Sequence, residues 1–174
     1  MSMENDALYR ERMTFRFIHA IAFFIGLVAA GMLGLVVYHF TVKPIDNEPG
    51  IGWLFIAEFF IMAALTVFIL QFRDLDIILT YQGIIIKFGR IKKFIPWIDI
   101  QSYNTITEGL SLAGGGWHIG PGRGGWSAEY TVIGKPRLAL KLNAGIIRNV
   151  VFSTGNPQEV SRLIKKQTGK DESR

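Results

Sequence analysis

FIHAIAFFIGLVAAGMLGLVVYHFTV, residues 17–42, contains no Asp, Glu, Lys or Arg. As a helix it would reach about 39 Å at 1.5 Å per residue, against a bilayer hydrocarbon core about 30 Å thick. A second run follows almost at once, from Pro49 to Phe72, and its one charged residue is Glu58. Two such helices cannot both be buried inside the little protein that remains of a 174-residue chain. The apolar part of the first run exceeds the 7 to 15 residues usual in a cleaved signal peptide, and a second span follows it. The pair therefore predicts a membrane hairpin: spans at 17–42 and 51–72, joined by a short external loop at 43–50.

Charge beside the spans sets the expected orientation. Arg10, Arg12 and Arg16 precede the first span. The connector offers one base, Lys43, against Asp46 and Glu48. Arg73 and then Lys87, Arg90, Lys92 and Lys93 follow the second. Basic outer flanks and a poorly basic loop place both termini in the cytoplasm, at the cell membrane. Residues 1–16 read as a polar, frayed or interfacial cytoplasmic segment.

Within the first span Gly26, Ala30 and Gly34 recur every fourth residue, a small-residue face on which another helix can approach closely. Trp53 suits an interfacial anchor, and His19 and His39 lie near opposite ends of the first span, where polar tips meet headgroups. Glu58 is the most unusual residue, since a carboxyl within a span is expensive and often functional. Its carboxyl reaches water, bonds to the partner helix or stays protonated, or else it serves an oligomeric channel or transport assembly of which this chain is a subunit or accessory.

From residue 73 the pattern changes to short apolar runs broken by turns. Strands are expected at 76–80, 84–88, 91–95, 100–107, 128–133, 137–142 and 146–153; RLALKL, with its leucines on one face, is the clearest. Asn156-Pro157-Gln158-Glu159 then supplies a cap, a proline at the first helical position and a glutamate at the third. Val160, Leu163 and Ile164 form the apolar stripe of a closing helix. The expectation is a mainly β domain over 73–168, about seven strands closed by one helix, with a flexible tail at 169–174.

DIILTYQGIIIKFGRIKKFIPWIDI resembles the opening strands of the pleckstrin-homology-like domains carried by small bacterial and archaeal membrane proteins. Gly83, Ile84 and Ile86 occupy the hairpin positions, and Trp97, Asp99 and Ile100 a Trp-x-Asp-Ile step. Thr154, Asn156, Pro157 and Glu159 match the closing pattern, so the resemblance covers about residues 74–167. It implies binding rather than a reaction, because none of these positions is catalytic in that family.

GGGWHIGPGRGGW, residues 114–126, formally contains G-x-G-x-x-G. That fingerprint needs a helix after its glycines to meet a pyrophosphate, and here Trp126 to Ile133 reads as strand. The segment is expected to be a connection, or an adaptable loop in which Trp117, His118, Arg123 and Trp126 meet an anion or a partner. Glu108, His118 and Glu129 are the clustered candidates for acid–base work, but no nucleophile motif accompanies them, and an enzyme is not expected. Cysteine is absent, which excludes disulfides and thiolate sites. Neither cofactor nor metal is called for.

From Phe72 onward 15 Lys and Arg face 8 Asp and Glu. Such a surface, held close to a bilayer, predicts contact with anionic lipid through Lys87, Arg90, Lys92 and Lys93. Nucleic acid is the other use of a basic surface, yet no recognition helix or zinc pattern is present. The expected function is a membrane-anchored interaction or scaffold protein whose other partner is an unidentified membrane or cytoplasmic protein, with a homo-oligomer as a further possibility.

Overall fold

The computed structural model describes residues 6–42, 49–106, 115–122 and 124–172. The chain divides into two compact units: Arg16–Arg73, and a head made of Met1–Phe15 together with Asp74–Arg174.

The first unit is two packed helices, α1 (Arg16–Thr41) and α2 (Pro49–Leu70). On α1 Ile18, Ala22, Ala29 and His39 are buried and Ile21, Ile25, Gly26, Met32 and Val36 are half-buried; within this set the row 18, 22, 25, 29, 32, 36, 39 steps alternately by four and three. That is the spacing of a seam between two helices packed side by side. Gly52 of α2 permits the close approach at one end of the pair: a Cβ there would lie 2.7 Å from both His39 and Phe40 ring atoms. The expected small-residue face is elsewhere. A Cβ on Gly26 or Gly34 would meet nothing within 4 Å, and Ala30 is exposed. Glu58 is exposed too, so its carboxyl is not a bond between α1 and α2.

The head is mainly β with a closing helix, as expected; its strands form two sheets and, among the described residues, number two more than the apolar runs indicated. In one sheet β1 (Ala7–Thr14), β2 (Asp74–Thr80), β3 (Gly83–Phe88) and β4 (Ile91–Pro96) are neighbours in that order, all antiparallel. A 3-10 turn, Trp97–Asp99, leads to β5 (Ile100–Ile106). The second sheet contains β5, β6 (Gly116–Gly122), β7 (Gly125–Thr131), β8 (Arg137–Leu142) and β9 (Ile147–Ser153), in the order β5-β8-β9-β7-β6. The pair β7–β9 is parallel and the rest are antiparallel.

The segment expected to fray is therefore a strand. In β1, Tyr9, Glu11 and Met13 turn inward while Arg10, Arg12 and Thr14 are exposed. The alternation was present in the sequence, but its inward residues are mostly polar and gave no apolar signal. Because β1 pairs with β2, the helical hairpin is inserted between two neighbouring strands. Thr14 and Asp74, the residues next to its two ends, are register partners, and the Thr14 hydroxyl donates to the Asp74 carboxylate at 2.9 Å.

Leu75, Ile77, Ile84 and Ile86 from one sheet, and Leu138, Val150 and Phe152 from the other, are fully buried. Helix α3 (Pro157–Thr168) adds Val160, Leu163 and Ile164. The Asn156 side chain accepts the Glu159 N–H at 3.3 Å, satisfying one of the first-turn amides. Gly169, at φ 68°, ends the helix in the left-handed conformation.

The positions that carried the resemblance are structural. Trp97 donates its indole N–H to the Thr80 carbonyl at 3.0 Å, joining the 3-10 turn to the β2–β3 hairpin. The Asp99 backbone carbonyl accepts the Asn143 N–H at 2.8 Å. A side chain on Gly83 would run into the Ile95 carbonyl across the strand pair.

Candidate functional site

Register gathers the basic residues at one end of the first sheet. Arg12, Asp76, Lys87 and Lys92 are successive cross-strand partners on β1, β2, β3 and β4. Arg12 grips Asp76 through Nε at 2.6 Å and Nη2 at 3.0 Å, and this bond raises the guanidinium above its ordinary pKa. Lys87 and Lys92 stand directly opposite each other, an arrangement of like charges that weakens a strand pair, and the carboxylate-bearing Asp76 is the partner of Lys87 on its other side.

The turn between β3 and β4 completes this end. Gly89 takes φ 60°, its N–H donates to the Asp74 carbonyl at 3.4 Å, and Arg90 beside it is exposed. Asp74 begins the strand that follows the helices, so the turn lies where the chain leaves the head and returns to it. Lys93 differs from the other three. It pairs with Ile86 and belongs to the opposite face of the sheet from Lys92.

Within the glycine-rich segment β6 and β7 pair as a β-hairpin, so it is not a bare connection. The last residues of β6 and the first of β7 make up its G-x-G-x-x-G, and a strand follows, which is not the geometry that seats a pyrophosphate. Its two faces differ. Trp117, Ile119 and Pro121 pair with Tyr130, Ala128 and Trp126. This apolar row is buried on β7 at Tyr130 and Ala128 but exposed along β6, with Trp117 40 % and Ile119 44 % exposed, and at Trp126, 50 % exposed. Burial raises the Tyr130 phenol, and a hydrogen bond with Trp117 offsets part of the rise.

On the other face His118 Nε2 lies 3.2 Å from Glu129 Oε2, between glycines. Two of the three acid–base candidates thus meet as a partly exposed cross-strand pair. Glu108 and Arg123 lie outside the described residues. Trp126 is a strand length from Trp117, whose end of the hairpin lies near Phe15: a Cβ on Gly115 would come within 2.9 Å of that ring. Among the described residues no three His, Cys, Asp or Glu side chains gather as metal ligands would.

Sequence reading missed Glu11. Its carboxylate accepts from the Tyr9 hydroxyl at 2.9 Å, the Thr154 hydroxyl at 2.8 Å and the Gly155 N–H at 2.6 Å. It ties β1 to the junction of β9 and α3. Burial, and then the bond to Glu11, push the Tyr9 phenol up to about 12. No local signal links residues 143 positions apart.

No protein-family model, curated protein or solved structure matches this chain.

Proposed function

We propose that this chain is a non-enzymatic, membrane-anchored interaction protein with a pleckstrin-homology-like head. Helices α1 and α2 cross the bilayer as an antiparallel pair, both termini lie on the cytoplasmic side, and the basic end of the head contacts anionic lipid. The observation that carries this reading is the register. Lys87, Arg90 and Lys92 collect at the end of the sheet where Thr14 and Asp74 lead into and out of the apolar helices. Each base near an anionic leaflet contributes about 1 kcal/mol, so these three contribute about 3 kcal/mol of orienting energy. Lys93, on the other face, contributes less. The aromatic hairpin bearing Trp117, His118 and Trp126 is left to receive a protein partner.

The test uses the full chain in lipid nanodiscs. Amide exchange at the Gly89–Arg90 turn is slowed by anionic lipid relative to neutral lipid, and neutralising Lys87, Arg90 and Lys92 together removes the difference. Equal exchange in the two lipids would sink the lipid contact.

Glu58 favours a second reading. It is an exposed carboxyl on an otherwise uncharged helix, and facing lipid alone it would cost about 2.5 to 3.5 kcal/mol. A further membrane segment, from an oligomer or a transport assembly, would relieve that cost. Glu58→Gln alters the size of the detergent-solubilised complex if so, and leaves it unchanged if Glu58 meets only water or headgroups.

A further inference from the structure

Strand β5 lies at the end of its sheet, and its strand partner there is β8 alone. Tyr103 and Thr105 are two residues apart, so their backbone groups point the same way, away from β8. The chain itself fills this side. After Gly169 turns the backbone, residues 170–172 run back alongside β5 rather than trailing as a loose tail. Glu172 forms a parallel bridge with Tyr103, and its Oε1 accepts the Thr105 N–H at 2.6 Å. The Lys170 amine donates to the Ile100 carbonyl, and Lys165 holds Asp171 at 2.5 Å.

We propose that the outer edge of β5 is a strand-addition site for an extended peptide bearing a carboxylate two residues after a cationic side chain, and that residues 170–172 are an internal stand-in that closes it. The tail shows which chemistry the edge accepts: a cation on the Ile100 carbonyl, a carboxylate on the Thr105 amide and backbone beside Tyr103. Among the described residues it fills the edge sparsely, with one backbone bridge along a seven-residue strand. The Lys165–Asp171 pair that steadies it is 62 % and 79 % exposed, and such pairs add little. What holds the tail is its tether. Joined to α3 through Gly169, it has a high effective concentration at the edge. A partner displaces it by running the whole length of β5 and making main-chain bonds that residues 170–172 do not.

The other edges are less receptive. On β6, Pro121 has no N–H to offer, β4 presents Lys92 and Lys93, and β1 is tied down through Glu11. On β5 the exposed side chains, Gln101, Asn104 and Ile106, are neutral and tolerate a neighbouring strand.

This inference does not depend on the lipid contact. The probe is a labelled peptide, KDETVTV, which continues the tail's Lys-Asp-Glu with strand-forming residues to the end of β5. The full chain and a form ending at Gly169 are compared in detergent. The shortened form binds the peptide more tightly than the full chain, in which the tail must first be displaced, and the control KDATVTV binds about tenfold more weakly because one charged hydrogen bond is lost. In the full chain Glu172→Ala speeds exchange of the Thr105 amide about tenfold at unchanged melting temperature. The proposal is overturned if the shortened, folded form ignores the peptide, or if the full chain binds it equally well. Self-pairing of the shortened form in place of peptide binding would make the occupant a second copy, and also overturns it. If shortening prevents folding, the Glu172→Ala exchange decides alone, and an unchanged Thr105 rate counts against a closed edge.

Discussion

Glu11 gathers three donors from two distant parts of the chain, and one of them, the Thr154 hydroxyl, is fully buried. Removing a charged acceptor from such a set costs about 1.5–3 kcal/mol. Glu11→Ala is therefore expected to lower the urea midpoint of the full chain in detergent, followed through the fluorescence of buried Trp97. Gly155 belongs to the same contact, since a Cβ there would stand 2.6 Å from Glu11 Oε1. Tyr9 adds a pH dependence. Its folded pKa, about 12, exceeds the ordinary 10.0, so the folded state holds this proton more tightly. The stability this contributes is fully present below pH 10 and is lost as pH rises from 10.0 towards 12. Tyr103 and Tyr130 shift in the same direction, both chiefly through burial. Tyr9→Phe should therefore flatten the alkaline fall in stability without abolishing it, as measured by unfolding between pH 9 and 12.

Among the elements, the β2–β3–β4 hairpins have the least room for error. Thr80 Oγ1 accepts the N–H groups of Gln82 and Gly83, folding the turn tightly, and Gly83 pairs with Pro96 across the next strand. An added methyl at Gly83 must displace the Ile95 backbone, an overpacking cost of about 1–3 kcal/mol. Gly83→Ala should lower the midpoint accordingly, whereas Gly120→Ala, where a Cβ meets open space, should change it little. The apolar strands and α3 were legible beforehand because their signals are local: alternation, turn residues and a cap. Strand β6 was not, because glycine and proline at four of its seven positions erase alternation and imitate a loop. It is held as a strand by pairing with β7 along its length.

For the whole molecule, the consequence of the β1–β2 pairing is topological. Residues before and after the helical hairpin belong to one sheet, so they must share one side of any membrane the hairpin enters. The chain has no cysteine, so single introduced cysteines report position without ambiguity. Asp6→Cys and Lys135→Cys should react with an impermeant reagent from the same side, and Asp46→Cys from the other. Opposite sidedness for residues 6 and 135 would be incompatible with β1 lying beside β2.

The amino-acid order alone determined what depends on neighbours along the chain. Apolar length specified two helices, period-two alternation specified most strands, and Asn156 with Pro157 specified where α3 begins. Tertiary structure decided what depends on partners far apart in sequence: β1 beside β2, β7 parallel to β9, Glu11 under Thr154, Glu58 facing outward, and residues 170–172 against β5. The reason is that a strand's hydrogen bonds are made with another segment. A polar or glycine-rich stretch becomes a strand only when the rest of the fold brings an edge to it.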